Sequence, residues 1–349
     1  MKRQRPAIAV LVALCLTACG QAAPAAPASG TAPPPASKPA AAAPASPASA
    51  AASGSAQTLQ KAIFATPSAD FTGFPSAVAR DQGFFKQHGL DMSVQLMQSP
   101  ATMAALQAGE VQFTSSTGTT VRTASQGLPV RVIAHVQTEP FSFVTRPEFP
   151  TIASLKGQRV GFQNVGGDEY VYSLMALKSG GLAQQDVQLL QAGNTAAINT
   201  ELIAGQLGGG TLGPPFVQEL AEKGFHVQTQ PDLMLLPSGG LATSLSLLQK
   251  NPQLVRATLE AILDAIVWTR SNPDQAQAYF GQKFNLPPDI IKPAYEQMMS
   301  SLRFNFSDAD LQGAIQRTID PKQSTQNVQI KDVYDLSLFN ELVKAKGLA

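Results

Sequence analysis

Two carboxylates stand side by side at Asp168 and Glu169, directly after the glycine pair Gly166-Gly167. Three hydroxyls stand together at Ser115, Ser116 and Thr117, with Gly118 next. Hydroxyls and free N–H groups at the start of a helix suit an anion such as a carboxylate or sulfonate. Carboxylates at a helix start suit a cationic or hydrogen-donating group instead. Each set also has a purely structural role open to it. Ser116 or Thr117 is an ordinary helix cap, and Asp168 and Glu169 complement a helix dipole. If one of the two carboxylates faces a ligand, a simple anion is repelled, and a polar organic molecule fits better.

Other loops carry further candidates. Ser68 and Asp70 form a polar turn, followed closely by Phe71 and Phe74. With Tyr170, these aromatics suit stacking on a planar ligand or packing in a core. Pro214-Pro215 suits a rigid pocket wall, and Ser238 and Gly239 add a hydroxyl and a small residue. The glycines from Gly161 to Gly166 have phosphate-loop spacing, but Gly167-Asp168 stands where Lys and Ser/Thr are required. His88, His135 and His226 are isolated, so neither a metal nor a general base is expected from them. No cofactor is expected.

These loops need a frame to bring them together, and the first 57 residues do not supply it. Lys2, Arg3 and Arg5 precede an apolar run from Ala7 to Leu16, too short for a permanent membrane span. A basic start, an apolar stretch and small residues read as a secretory signal over residues 1–18. Leu16-Thr17-Ala18-Cys19 resembles the bacterial lipobox, which implies cleavage before Cys19 and a lipid on that cysteine. Residues 19–57 are almost wholly Ala, Pro, Ser and Gly and read as a tether. At ~3 Å per residue, an extended tether reaches on the order of 100 Å. The expected location is therefore extracytoplasmic, anchored to a bacterial membrane through Cys19. Both cysteines lie in this leader, so the folded part has no disulfide or thiol chemistry. With 14% charged residues, a net charge of +1 and no basic run, nucleic acid is not an expected partner.

From residue 58 onward, strand-like and helix-like segments alternate. Lys61–Thr66, Asp91–Leu96, Val111–Ser115, Val130–Val136 and Ser142–Thr145 read as strands. Helices are expected from Pro75 to Gly83 and over Ala101–Ala108. A second set follows: a strand ending at Phe162, a helix from Glu169 to Lys178, a strand over Val187–Leu190, a helix over Thr195–Ala204, a strand over Gly210–Gly213 and a helix over Phe216–Lys223. Such alternation argues for parallel, helix-covered sheets. After Ser244 the pattern is helical. Val255, Leu259, Ile262, Leu263 and Ile266 form one apolar face of a helix over Pro252–Arg270. Ser307 and Asp310 start a helix to Thr318, and a last helix is expected over Val333–Lys346.

Ala79 to Asp91, with Gly83-Phe84-Phe85 and Gly89-Leu90 at its centre, resembles a helix-turn-strand signature of the NMT1/THI5-like family. These are substrate-binding proteins of ABC importers for nitrate, sulfonates, taurine and pyrimidine precursors. Ala104–Val111, Leu155–Gly161, Ala204-Gly205-Gln206 and Gly213-Pro214-Pro215 are similar to its later signatures. The chain departs from the family at Gln112, where Asp is usual, and at Leu207-Gly208-Gly209-Gly210.

The resemblance implies an α/β fold of the periplasmic binding protein type II class, with two α/β lobes joined by a two-segment hinge and a helical C-terminal tail. Lobe one is expected over 58–145 and again over 240–349, and lobe two over 146–239. The crossings are expected near Pro140–Pro147 and Leu235–Ser244. In such sheets ligands sit beyond the carboxyl ends of the strands, between the lobes. That rule collects all the loops named above. The implied function is capture of a small molecule and its delivery to ABC permease subunits, without catalysis and as a monomer. A sensory or scaffolding lipoprotein on the same fold stays open. So does a pyrimidine-synthase-like enzyme, although the resemblance implies histidine- and cysteine-rich sites for those synthases.

Overall fold

The computed structural model describes residues 58–138, 140–228, 237–318 and 327–348. The signal, Cys19 and the tether lie outside the described residues, as does most of the second crossing before Pro237.

Ten strands are described: β1 (Gln60–Thr66), β2 (Leu90–Leu96), β3 (Phe113–Thr114), β4 (Val130–Thr138), β5 (Ser142–Thr145), β6 (Arg159–Phe162), β7 (Gln188–Gln191), β8 (Gly209–Leu212), β9 (His226–Gln228) and β10 (Pro237–Ser244). They form two five-stranded sheets, ordered β2-β1-β3-β10-β4 and β7-β6-β8-β5-β9. In each sheet three parallel strands come first, and the fourth position holds an antiparallel strand adjoining a crossing. The two lobes thus repeat one plan. The parallel strands of each end at the same edge, so each sheet presents its strand-to-helix loops to the other.

The crossings fall a few residues from their expected places. The chain leaves the first sheet at Thr138 and joins the second at Ser142. β5, expected in lobe one, pairs with β8 and β9 in lobe two. Pro237 to Gly239, expected in lobe two, begin β10 of lobe one. A short apolar strand such as Ser-Phe-Val-Thr carries no mark of its sheet, because its partners are distant in sequence. Gly240 has a φ of 152°, and a Cβ there would overlap the carbonyl of Ala134 on β4. The close approach of β10 to β4 therefore requires glycine.

Lobe one holds the larger core. Helix Pro252–Ser271 starts with Pro at its first position, and the side chain of Asn251 accepts a hydrogen bond from the N–H of Leu254 at 3.1 Å. Its expected apolar face is buried, joined by Leu254 and Ala265, and the helix packs against helices Phe74–Asp81, Phe84–Gln87 and Ser337–Ala345. Each large side chain buried this way contributes about 1.5–3 kcal/mol. Helix Phe74–Asp81 starts one residue before Pro75, and a separate short helix Phe84–Gln87 follows Gly83. The last expected helix is broken in two, Ile330–Val333 and Ser337–Ala345. Tyr334 lies extended between them and bridges to Val132 of β4.

The glycines of β8 do not disturb it. Val144 and Gly161 pair with Gly210 from either side. The space a side chain would take at Gly209 and Gly210 is filled by Leu155, Phe143 and Ile198. Gln112, the other family departure, uses its side chain to hold β1. Its Oε1 accepts from Ile63 N–H at 2.8 Å, and its Nε2 donates to Gly109 O at 2.8 Å.

Phe280 sits with its ring 4.4 Å from Phe71 and 6.2 Å from Phe74, with all three buried. Phe280→Ala is expected to destabilise the fold by about 3–5 kcal/mol, read from the denaturant midpoint. A loss below ~1 kcal/mol would mean this aromatic group does not organise lobe one.

Candidate functional site

The loops at the facing edges line a pocket of about 40 Å³. Lobe one supplies Pro67, Thr72, Ser99, Ser115, Ser116, Gly118, Thr119, Ser238 and Gly239. Lobe two supplies Phe141, Gln163, Asn164, Gly167, Asp168 and Glu169. The wall is rich in hydroxyl, amide and carboxyl groups. Asn164 is buried, and its Oδ1 has no hydrogen-bond partner, which leaves a free acceptor at the cavity.

The lobes meet through reciprocal aspartates. Asp70, in the loop after β1, caps the turn Phe71–Gly73 by accepting from Thr72 N–H at 2.9 Å, and it also accepts from the Ser68 hydroxyl. Its Oδ2 accepts as well from the hydroxyl of Thr195, at 2.9 Å, at the start of helix Thr195–Ile203 in lobe two. Asp168, in the matching loop after β6, reaches the other way. Its carboxylate lies against Gly118, in helix Thr117–Ser125 of lobe one, and lines the same pocket as Ser238. A Cβ on Gly118 would overlap Asp168 Oδ1, so only glycine permits this contact. Phe71 N–H also donates to Pro214 O across the gap at 3.2 Å. At the hinge, Gln297 donates to Pro140 O at 3.0 Å and accepts from Gln218 at 2.6 Å.

Six of the expected residues line the cavity: Ser115, Ser116, Gly167, Asp168, Ser238 and Gly239. Ser116 does not cap its helix; its hydroxyl accepts from Ser99 at 3.2 Å, and the Asp168 carboxylate lies against Gly118 at the helix start. Thr117 is buried beside the cavity wall, and its hydroxyl lacks a partner. Ser68 and Asp70 serve the contact between lobes. Gly166 packs against the Arg122 side chain. Of the two roles open to the aromatics, the structure shows packing. Phe71 and Phe74 are core residues against Phe280, and Tyr170 packs on Phe162 at 4.9 Å. An aromatic after a β-α turn points into whichever side excludes water, and here the C-terminal helices cover it. Pro214 and Pro215 are buried and do not line the cavity. Thr72, Gly118, Asn164 and Glu169 lie in the expected loops, and the rule about strand ends finds them as a group. Ser99, Gln163 and Phe141 lie outside those loops.

Residues 69–276 match the model of the family described as NMT1/THI5 like. This chain belongs to the NMT1/THI5-like family. Among curated proteins it is similar to the riboflavin-binding protein RibY of Chloroflexus aurantiacus, 28% identical over 79% of this chain and 77% of that protein. It is also similar to the 4-amino-5-hydroxymethyl-2-methylpyrimidine phosphate synthase THI5 of Saccharomyces cerevisiae, 27% identical over 64% of this chain and 71% of that one. Among solved structures, the periplasmic nitrate-binding protein NrtA of Synechocystis PCC 6803 superposes with a TM-score of 0.69. The match has 14% identity and covers 83% of this chain and 90% of that one. The fold is that of solute-binding proteins of ABC import systems, with two α/β lobes of the periplasmic binding protein type.

In this NMT1/THI5-like cleft, the carboxyl groups are out of their usual range. Loss of solvent pushes Asp168 up to about 6, against the Gly118 N–H, the charge of Arg317 and the Ser238 hydroxyl, which hold it lower. Burial pushes Glu169 up to about 8, helped by the charges of Asp168 and Asp70. The native state thus holds a proton on Glu169 that the unfolded chain releases above its ordinary value of 4.5. Stability is therefore lost as pH rises from about 4.5 to about 8 and is level above that.

Glu169→Gln keeps the group neutral and is expected to remove this loss. Relative to the parent chain, its melting temperature should rise by at least ~2–4 °C at high pH and show no gain near pH 4. A difference that does not change with pH, followed by calorimetry, would contradict the burial of an ionisable group there.

Proposed function

We propose that this chain is an extracytoplasmic solute-binding lipoprotein that captures a small polar organic molecule between its lobes and delivers it to an ABC importer. The observation that carries this reading is a cavity whose wall is shared by both lobes. A ligand that touches both lobes only when they approach has the differential affinity that drives hinge closure. The family and the fold support the same reading. The leader supports export, with Cys19 as the lipid attachment point and the tether as the link to the membrane. Among the described residues no helix is long and apolar enough to cross a membrane, so the anchor in this reading is the lipid. Permease subunits would then recognise the closed pair of lobes.

The ligand chemistry follows from the wall. Asp168, Glu169 and the free Asn164 Oδ1 are acceptors at neutral pH or become so on losing a proton. They suit a molecule with N–H or O–H donors or a positive charge. Such a molecule offsets the cost of enclosing carboxyl groups. The similarity to THI5 raises a second reading, catalysis on the same fold. The described cavity wall carries no histidine, and both cysteines of the chain lie in the leader, which favours binding over bond chemistry.

A thermal-shift screen of the full chain against metabolite pools is expected to yield hits, because a ligand of the native state raises the midpoint by mass action. Asn164→Ala and Ser116→Ala are each expected to weaken a hit by roughly tenfold, the effect of one lost hydrogen bond (~1–1.5 kcal/mol). Unchanged affinity in both variants would remove this cavity as the binding site.

In a bacterial host, Cys19→Ser is expected to move the protein from the membrane fraction to the soluble one. Retention in the membrane would contradict the lipid anchor.

A further inference from the structure

Helix Thr117–Ser125 is nine residues long, and its start faces the cleft. Its own cap residue, Ser116, makes no side-chain capping bond. Thr117 N–H is turned back to Ser115 O at 2.8 Å. The carboxylate of Asp168, from the opposite lobe, lies against the next residue, Gly118, where a side chain would stand. The Thr117 hydroxyl at the same helix start is buried and has no partner. These groups are the equipment of an anion site: oriented N–H donors, a spare hydroxyl and the positive end of a helix. The anion that sits there belongs to the protein. The absence of a Cβ at Gly118 makes room for it.

We propose that Asp168 is the specificity-determining residue of the cleft, a tethered carboxylate that fills the helix start of lobe one and so excludes anionic solutes. This rests on the solute-binding reading and refines it. An anionic ligand has to displace Asp168 from the helix start or sit beside its charge. A neutral or cationic donor does neither. The exclusion works by occupancy and by repulsion together. Asp70 cannot replace it, because its carboxylate is held by Ser68, Thr72 and Thr195.

The test uses the full chain with sodium methanesulfonate as probe, followed by titration calorimetry at about pH 8. Asp168→Asn removes the charge and keeps the shape; Asp168→Ser removes the charge and frees the space. The parent chain is expected to show no binding up to roughly 10 mM. The Ser variant is expected to bind at least about tenfold more tightly than the parent, with the Asn variant between them. No gain in either variant, with both still unfolding cooperatively, overturns the proposal. Binding by the parent as tight as that of the Ser variant also overturns it.

Should the Asp168 variants not fold, a chain that keeps Asp168 decides. Asp168 faces Glu169 on its own helix, Arg317 on helix Asp308–Thr318, and Tyr334. In a Glu169→Gln background, methanesulfonate affinity is expected to rise as pH falls from about 8 to about 5 and Asp168 takes up a proton; a flat profile overturns the proposal. The outcomes also separate the two readings. A parent that binds no solute, alongside a Ser variant that gains methanesulfonate, supports the exclusion and removes solute capture. A parent that binds a metabolite, alongside a Ser variant that gains nothing, overturns the exclusion alone.

Discussion

The contact between the Asp168 carboxylate and Gly118 sets the terms for the rest of the cleft. A carboxylate enclosed by protein is costly unless donors surround it. Here the donors come from the opposite lobe, so the cost is met only when the lobes approach. This places three demands on the neighbourhood. Residue 118 must lack a side chain, Ser238 must stand at the start of β10, and a positive charge, Arg317, must lie within range. Glu169 then shares a confined space with two other acids, and its proton affinity rises accordingly.

The contact has a counterpart. Asp70 follows the first parallel strand of its sheet and reaches a helix start in lobe two, while Asp168 follows the first parallel strand of the other sheet and lies against a helix start in lobe one. The shared strand plan explains the reciprocity. Two similar sheets facing each other bring first-strand loops to opposing helix starts. The C-terminal helices complete the arrangement from outside the cleft. They bury the aromatic residues after β1 in lobe one, and Gln297 ties them to the hinge at Pro140 and to Gln218 of lobe two. The fold therefore couples the hinge, the tail and the cleft through a few polar contacts, with apolar cores on either side.

Much of this was legible in the residue pattern. Alternating strand and helix signals, together with the spaced glycines that end helices, are local properties, and they located most elements to within a few residues. The apolar face of Pro252–Ser271 was readable for the same reason. The assignment of β5 to a sheet was not, because strand partners 64 to 85 residues away leave no trace in four residues. In the cleft, the strand-end rule found the loops. It did not find which side chains face the gap. Phe71, Phe74 and Tyr170 face apolar neighbours, while Thr72 and Asn164 from the same loops face the cavity.

The residue types alone pointed to the α/β class, the family, and the presence of both an anion-type helix start and a carboxylate pair. Only the tertiary structure decided that these last two satisfy each other. A helix start advertises its donors in its own few residues, because capping is local. The partner for those donors, 50 positions away in sequence and in another lobe, is chosen by how two rigid sheets face each other, and no short segment encodes that.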